Sequence, residues 1–254
     1  MARHDGNDES QSVLFGFHVV LESLQSKSGS IQRIWALRTD GRFFRIAQLA
    51  KEQRIPLSVE SRERLDRRAG SHQHQGVVAQ VAAKSYLTGE ELLDSLNSSS
   101  SSSLLVVLDQ IQDPHNLGAI VRSVEASGGH GIVIPKHRAV GLTGGVAKAS
   151  AGALEYVPIA RVTNTGKFLE TCQAQGIMTV ALDQEADQSY SEINLAEPVA
   201  LVFGSEGEGI RPLVKKKCDI RARIPMFGRM NSLNVSVAVA VTLFEARRQR
   251  AFRQ

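Results

Sequence analysis

The sequence predicts an α/β fold, with a parallel sheet covered by helices in its C-terminal part and a smaller α/β unit ahead of it. Three observations carry that expectation. From Leu104 onward, short apolar runs alternate with segments of helical spacing, the pattern of β-α-β units. The run 104–108, LLVVL, is apolar without interruption, as a strand buried on both faces must be. Residues 97–103 read NSSSSSS, which offers no apolar side chain to bury and behaves as a flexible tether. The expected organisation is therefore a disordered 1–12, a first domain over 13–96, a linker over 97–103 and a second domain over 104–254.

In the first domain the spacing predicts a helix over 15–24 and a strand over 31–37 that carries the only tryptophan, Trp35. An amphipathic helix over 43–53, a short strand Leu57–Val59 and, after a polar loop, a strand over 77–83 follow. The second domain reads as strands over 104–108, 131–134, 157–160, 178–182 and 199–203, with helices over 117–127, 143–153, 167–175 and 211–217. The last helix, 232 to about 250, is apolar around much of its circumference in its first half. Such a helix is buried, in the core or against a second subunit. Its tail, Arg247, Arg248, Arg250 and Arg253, is expected to be basic and exposed.

The bulk numbers exclude several classes. A hydrophobic fraction of 42% is ample for a packed core, and no apolar run reaches the length of a membrane span. The first dozen residues lack the apolar segment of a signal peptide. Two cysteines, Cys172 and Cys218, make no disulfide framework, which fits a reducing cytoplasm. The pair His72 and His74 has no further ligand at metal spacing, so no metal is expected. Net charge is only +4, yet residues 33–68 hold ten Arg/Lys against five Asp/Glu. That clustering suits a polyanionic partner, although a solvated face accounts for it equally well.

Three strand-to-loop junctions gather polar groups, and in open α/β sheets ligands collect at the carboxyl ends of strands. The first, Asp113-Pro114-His115-Asn116-Leu117-Gly118, places Asn116 as an N-cap and leads to Arg122 inside an otherwise apolar helix. Arg122 either snorkels to water or offers its planar fork to a phosphate. The second, Gly204-Ser205-Glu206-Gly207-Glu208-Gly209, lets a ligand approach the backbone closely. Its order is neither the dinucleotide fingerprint nor a phosphate loop, and a flexible acidic turn is the plainer reading. The third runs from Ile224-Pro225-Met226 to Ser232-Leu233-Asn234. Ser232 is placed to cap the last helix, and Asn234, a poor helix former in its first turn, invites a partner for its amide.

Taken together, DPHNLGAIVRS, LVFGSEGEGI and IPMFGRMNSLNVSVAVAVTLFEARRQ resemble the three ordered motifs of the SpoU (TrmH-type) RNA ribose 2′-O-methyltransferases. The likeness spans 104 to about 250, and the preceding unit, with HQGVVAQV, is similar to the RNA-binding domain that bacterial members carry. The pairing most resembles the branch that methylates a guanosine of 23S rRNA. The resemblance implies a trefoil knot of the SPOUT type, a homodimer packed partly through the last helix, and S-adenosyl-L-methionine as cofactor. It places the cofactor against Gly204, Ile224 and Leu233, with Leu182, Val202 and Phe203 nearby. It makes Asn116, Arg122, Glu206, Ser232 and Asn234 the polar active-site positions.

The implied chemistry is displacement at a sulfonium methyl by a ribose hydroxyl. The hydroxyl is the poor partner, so catalysis must come from positioning and from help in losing its proton. A guanidinium almost never deprotonates in a protein; Arg122 would rather hold a phosphate and the emerging alkoxide, and Glu206 is the ordinary candidate base. Three alternatives stay open: a tRNA ribose methyltransferase, a catalytically silent RNA-binding or ribosome-assembly protein of the same fold, and a nucleotide-dependent oxidoreductase, which the missing GxGxxG disfavours.

Overall fold

The structure is a computed structural model and describes residues 11–25, 31–82, 85–97 and 102–251. The expected disorder of 1–12 falls outside these residues except at Gln11 and Ser12, which open a strand; 98–101 of the serine run and Arg253 also lie outside. The chain forms two compact units, one of residues 1–85 and 142–156, the other of 86–141 and 157–254. The division falls at Ser85 rather than in the serine run. The physical reason is α4 (Gly89–Asn97), whose Leu92, Leu93 and Leu96 are buried in the core of the second unit.

The first unit is built on a four-stranded sheet of β1 (Gln11–Phe15), β2 (Ile31–Ala36), β3 (Leu57–Val59) and β4 (Val77–Ala82), in the order β1-β4-β2-β3. Helices α1 (Phe17–Gln25), α2 (Phe44–Glu52) and α3 (Arg62–Ala69) accompany it, and α6 (Gly144–Ala149) belongs to the same unit. Phe15 thus ends a strand instead of starting a helix; Gly16, at φ 106°, makes the turn between them. The expected helix over 143–153 stops at Ala149, and Ala151 and Gly152 then take left-handed backbone. The polar stretch before β4 contains α3, whose one buried residue is Leu65. Trp35 packs there, with the Arg68 guanidinium 3.9 Å above its ring.

The histidine pair has a structural task in this unit. His74 is buried, and its Nδ1 accepts from the Gly76 amide at 3.0 Å. The ring proton therefore sits on Nε2, 3.0 Å from Asp66 Oδ1. His72 Nδ1 stands 3.0 Å from the other oxygen. Burial alone would push the Asp66 carboxyl upward, but the two histidines hold it below its ordinary value.

The second unit carries a parallel sheet of seven strands: β5 (Leu87–Thr88), β6 (Leu104–Asp109), β7 (Gly131–Pro135), β8 (Ile159–Val162), β9 (Met178–Leu182), β10 (Val199–Gly204) and β11 (Ile220–Ala222). Their order is β11-β9-β10-β6-β7-β8-β5. Every residue of β6 is buried, as its unbroken apolar run requires. The chain leaves β6 toward β7 and β8, then returns on the other side through β9 and β10, so the order reverses between β6 and β10. Helices α5 (Pro114–Ala126), α7 (Thr165–Ala174), α8 (Pro212–Lys215) and α9 (Val235–Ala251) complete the unit, and α9 packs on α5 and β10.

In the tail of α9, Arg247 and Arg248 are exposed as expected, and Arg250 is not. Arg250 is half-buried and donates to the carbonyls of Ser102, Ser103, Leu195 and Glu197. Burial, with Arg247 beside it, pushes its guanidinium down to about 10. Arg247 likewise donates to the Ser127 and Gly128 carbonyls. These arginines satisfy loop carbonyls, and the Ser103 carbonyl also accepts from Val199 N of β10 at 2.9 Å.

Candidate functional site

Asp113 caps α5, its side chain accepting from the His115 amide at 2.9 Å, with Pro114 at the first helical position. Asn116 is therefore not the cap. It lies inside the first turn, almost wholly buried, and its side chain is free to face the other junctions. Its Nδ2 donates to Glu206 Oε1 at 3.1 Å, and its Oδ1 accepts from Asn234 Nδ2 at 3.0 Å. Asn234 Nδ2 also donates to the same Glu206 oxygen. The three junctions thus meet in one closed triangle of side chains.

Asn234, not Ser232, caps the last helix. Its carbonyl accepts from Ala238 N at 3.0 Å and its Oδ1 from Ser236 N at 2.9 Å. One side chain therefore starts α9 and closes the polar network. Ser232 stands two residues earlier, exposed on the wall of the adjoining cavity.

That cavity, of about 960 Å³, opens at the carboxyl ends of β9, β10 and β11, beside the point where the strand order reverses. Gly204, Ile224, Leu233, Leu182 and Phe203 line it, as do Glu206 and Asn234. Val202 does not; it is fully buried in the hydrophobic cluster of the sheet, one residue and hence one face away from Phe203. Gly204 forms the tightest part of the wall. Ser205 and Gly209 exchange backbone hydrogen bonds of 3.1 and 3.0 Å, closing the glycine loop on itself. A Cβ on Gly204 would lie 1.9 Å from the Gly209 carbonyl carbon, so only glycine fits.

Arg122 lies elsewhere. It is exposed on α5, roughly 9 Å along the helix axis from Asn116 and about 120° around it. Its guanidinium has no hydrogen bond or ion pair among the described residues, and it does not line the cavity of its own chain.

Two further elements were not evident from residue types alone. Asp109, fully buried at the end of β6, accepts from the backbone and side chain of Arg211, the latter at 2.6 to 3.1 Å. This pair ties Arg211, two residues past the glycine loop, to the neighbouring strand. Asp183, just past β9, faces Lys215 at 2.8 Å and Arg221 at 2.7 Å. Burial would raise its carboxyl, but those two cations outweigh burial and hold it below the usual carboxylate range. The spacing of an acid after an apolar strand run was the one available signal.

Residues 103–244 match the SpoU rRNA Methylase family, and residues 13–87 match a domain described as RNA 2'-O ribose methyltransferase substrate binding. A 23S rRNA (guanosine-2'-O-)-methyltransferase RlmB of Ralstonia nicotianae is 43% identical over 94% of this chain and 96% of its own. The RlmB of Shewanella oneidensis is 41% identical over 94% of this chain and 98% of its own. Among solved structures, the SpoU methyltransferase AviRb from Streptomyces viridochromogenes, in complex with the cofactor AdoMet, superposes with a TM-score of 0.80 at 25% identity, covering 95% of this chain and 91% of that one. The motifs that converge at this cavity, the sheet that carries them and these matches together make the chain a member of the SpoU rRNA methylase family.

Proposed function

We propose that the protein is an S-adenosylmethionine-dependent methyltransferase of a ribose 2′-hydroxyl, acting on a guanosine of 23S rRNA. The observation that carries this reading is the Glu206–Asn116–Asn234 triangle set against a glycine-walled cavity. The identity of 41 to 43% to two enzymes named for that reaction supports the substrate.

The residues present fit the cofactor. Gly204, whose missing Cβ lets the loop fold back against Gly209, would hold it together with Leu182, Phe203, Ile224 and Leu233, and the Glu206 carboxylate suits a sulfonium charge. When bound, S-adenosylmethionine supplies an activated methyl group. The chain's own residues must then present the ribose hydroxyl and relieve it of its proton. Glu206 Oε1 is taken by two amides, whereas Oε2 has no partner among the described residues. That oxygen is the candidate acceptor, and the two amides keep the carboxylate in place.

Arg122 is off its own cavity, so it is assigned to the cavity of a second copy. A homodimer through α5 and α9 is supported by the exposed face that α9 leaves, with Val237 46% and Phe244 52% accessible. Apolar side chains in that state suit a covered interface. There a charged guanidinium would hold the flanking phosphate and steady the developing alkoxide. The knot implied by the resemblance is supported by the path of the chain, which runs from β11 at the sheet edge back across β9 to α9 against β10. RNA capture by the basic stretch 33–68 of the first unit is supported by its charge. The cytoplasm is the proposed compartment, since both cysteines are free and burial pushes each thiol up to about 12.

Primer extension at limiting dNTP on 23S rRNA and on total tRNA, each treated with the protein and S-adenosylmethionine, tests the reading. One stop in 23S rRNA is expected. Stops in tRNA alone would favour the tRNA alternative, and stops in neither would overturn the proposal.

A further inference from the structure

We propose that the loop Lys136-His137-Arg138, at the carboxyl end of β7, is a phosphate-gripping ridge that holds the RNA backbone beside the methylated nucleotide. The inference rests on the reading of the substrate as RNA and adds to it a contact on the catalytic unit itself. All three side chains are exposed. None of them makes a hydrogen bond or ion pair among the described residues. No Asp or Glu occurs between Glu125 and Glu155, so nothing nearby in sequence offsets the charge.

A solvated charge run normally rides on a mobile loop; this one is fixed. Lys136 N donates to the Val162 carbonyl at 2.8 Å, and Val140 N to the Ile111 carbonyl at 2.9 Å. Gly141 closes the loop against Arg161, whose guanidinium is stacked 3.9 Å over the Tyr86 ring. A Cβ at Gly141 would lie 3.3 Å from both Arg161 Nη2 and the Tyr86 hydroxyl. Between these anchors Arg138 is held at φ 58°, a left-handed conformation that bulky residues avoid and that surrounding structure must impose. The backbone is thus rigid while the cations it presents are unsatisfied, the arrangement that lowers the entropy lost on binding.

Position completes the inference. Strand β7 lies beside β6, and β6 beside β10, so the ridge shares the carboxyl edge with the cavity. Two strand spacings amount to about 10 Å, which a nucleic-acid strand with a phosphate every ~3.4 Å of axis spans in about three nucleotides.

The test uses the full chain, a 23S rRNA transcript and the double variant Lys136→Ala/Arg138→Ala. The KM for RNA should rise on the order of tenfold with kcat within about twofold, and the salt slope of RNA affinity should fall by about 2. Calorimetric affinity for S-adenosylmethionine should not change, and Lys136→Arg/Arg138→Lys should restore the KM. Unchanged KM and salt slope would overturn the ridge while leaving the methyltransferase reading intact. A loss confined to kcat, or one accompanied by weaker cofactor binding, would also overturn it. A wild-type chain that methylates no rRNA would instead remove the reading on which the ridge depends.

Discussion

Asn116 and Asn234 stand 118 positions apart and share a hydrogen bond of 3.0 Å. Both also donate to one oxygen of Glu206. Each side chain therefore fixes the other two, and the start of α9 cannot shift without breaking the network that faces the cavity. Building the site from two helix starts and a strand end places it on rigid elements, with no mobile lid required.

Arg122→Ala is expected to abolish methyl transfer while leaving calorimetric cofactor affinity within about twofold. Mixing it with Asn234→Ala provides a sharper check. If Arg122 serves the cavity of the second copy, refolded mixtures should recover up to about a quarter of wild-type activity, since half the dimers are mixed and each has one intact site. No recovery in demonstrably mixed dimers would place Arg122 at its own chain's cavity.

Gly204→Ala forces backbone apart, because the new methyl would meet Gly209 at 1.9 Å. A misplacement of about 1 Å at a site can cost on the order of 10²-fold, so S-adenosylmethionine affinity should fall by about that factor. Circular dichroism should remain that of a folded chain. Ser205→Ala, which keeps the loop backbone, is the control and should bind normally.

Arg211→Ala leaves the buried Asp109 carboxylate with the backbone amide of residue 211 but without the guanidinium. Breaking a fully buried pair costs about 3–5 kcal/mol; the Arg211 side chain is 42% exposed, so a loss below that range is expected, to be read as a lowered urea midpoint. Asp109→Asn/Arg211→Met, which removes both charges, should recover much of that loss.

The Asp183 carboxyl is held below its ordinary value by Lys215 and Arg221, against the opposing effect of burial. As pH falls, the unfolded chain takes up this proton first, so stability falls with pH. The contribution is complete above the ordinary carboxyl value of about 4 and is lost as pH drops through the folded value. Urea midpoints of the wild type and Asp183→Asn should differ at neutral pH and converge in acid. Parallel curves down to acid would contradict the assignment.

Much of the second unit was legible because its strands are buried on both faces. The runs ending in Leu108 and Phe203 have no other reading. The three junctions were legible as places where polar residues follow such runs. Short or mostly polar elements were not: α3 buries only Leu65, β11 has three residues and β5 has two. Cap assignment failed at Asn116 and Ser232 for one reason. Several residues near each helix start can cap it, and tertiary hydrogen bonds decide among them. The Asp109–Arg211 pair could not be read at all, since its partners are 102 positions apart and only the adjacency of β6 and β10 unites them.

The central claim is that a methyl group passes at this cavity to a ribose oxygen. Incubation of 23S rRNA with methyl-tritiated S-adenosylmethionine, followed by digestion to nucleosides and chromatography, addresses it most directly. Label in 2′-O-methylguanosine alone, absent with Arg122→Ala, is the predicted result; label on a nucleobase, or none in RNA that lacks the modification, would contradict it.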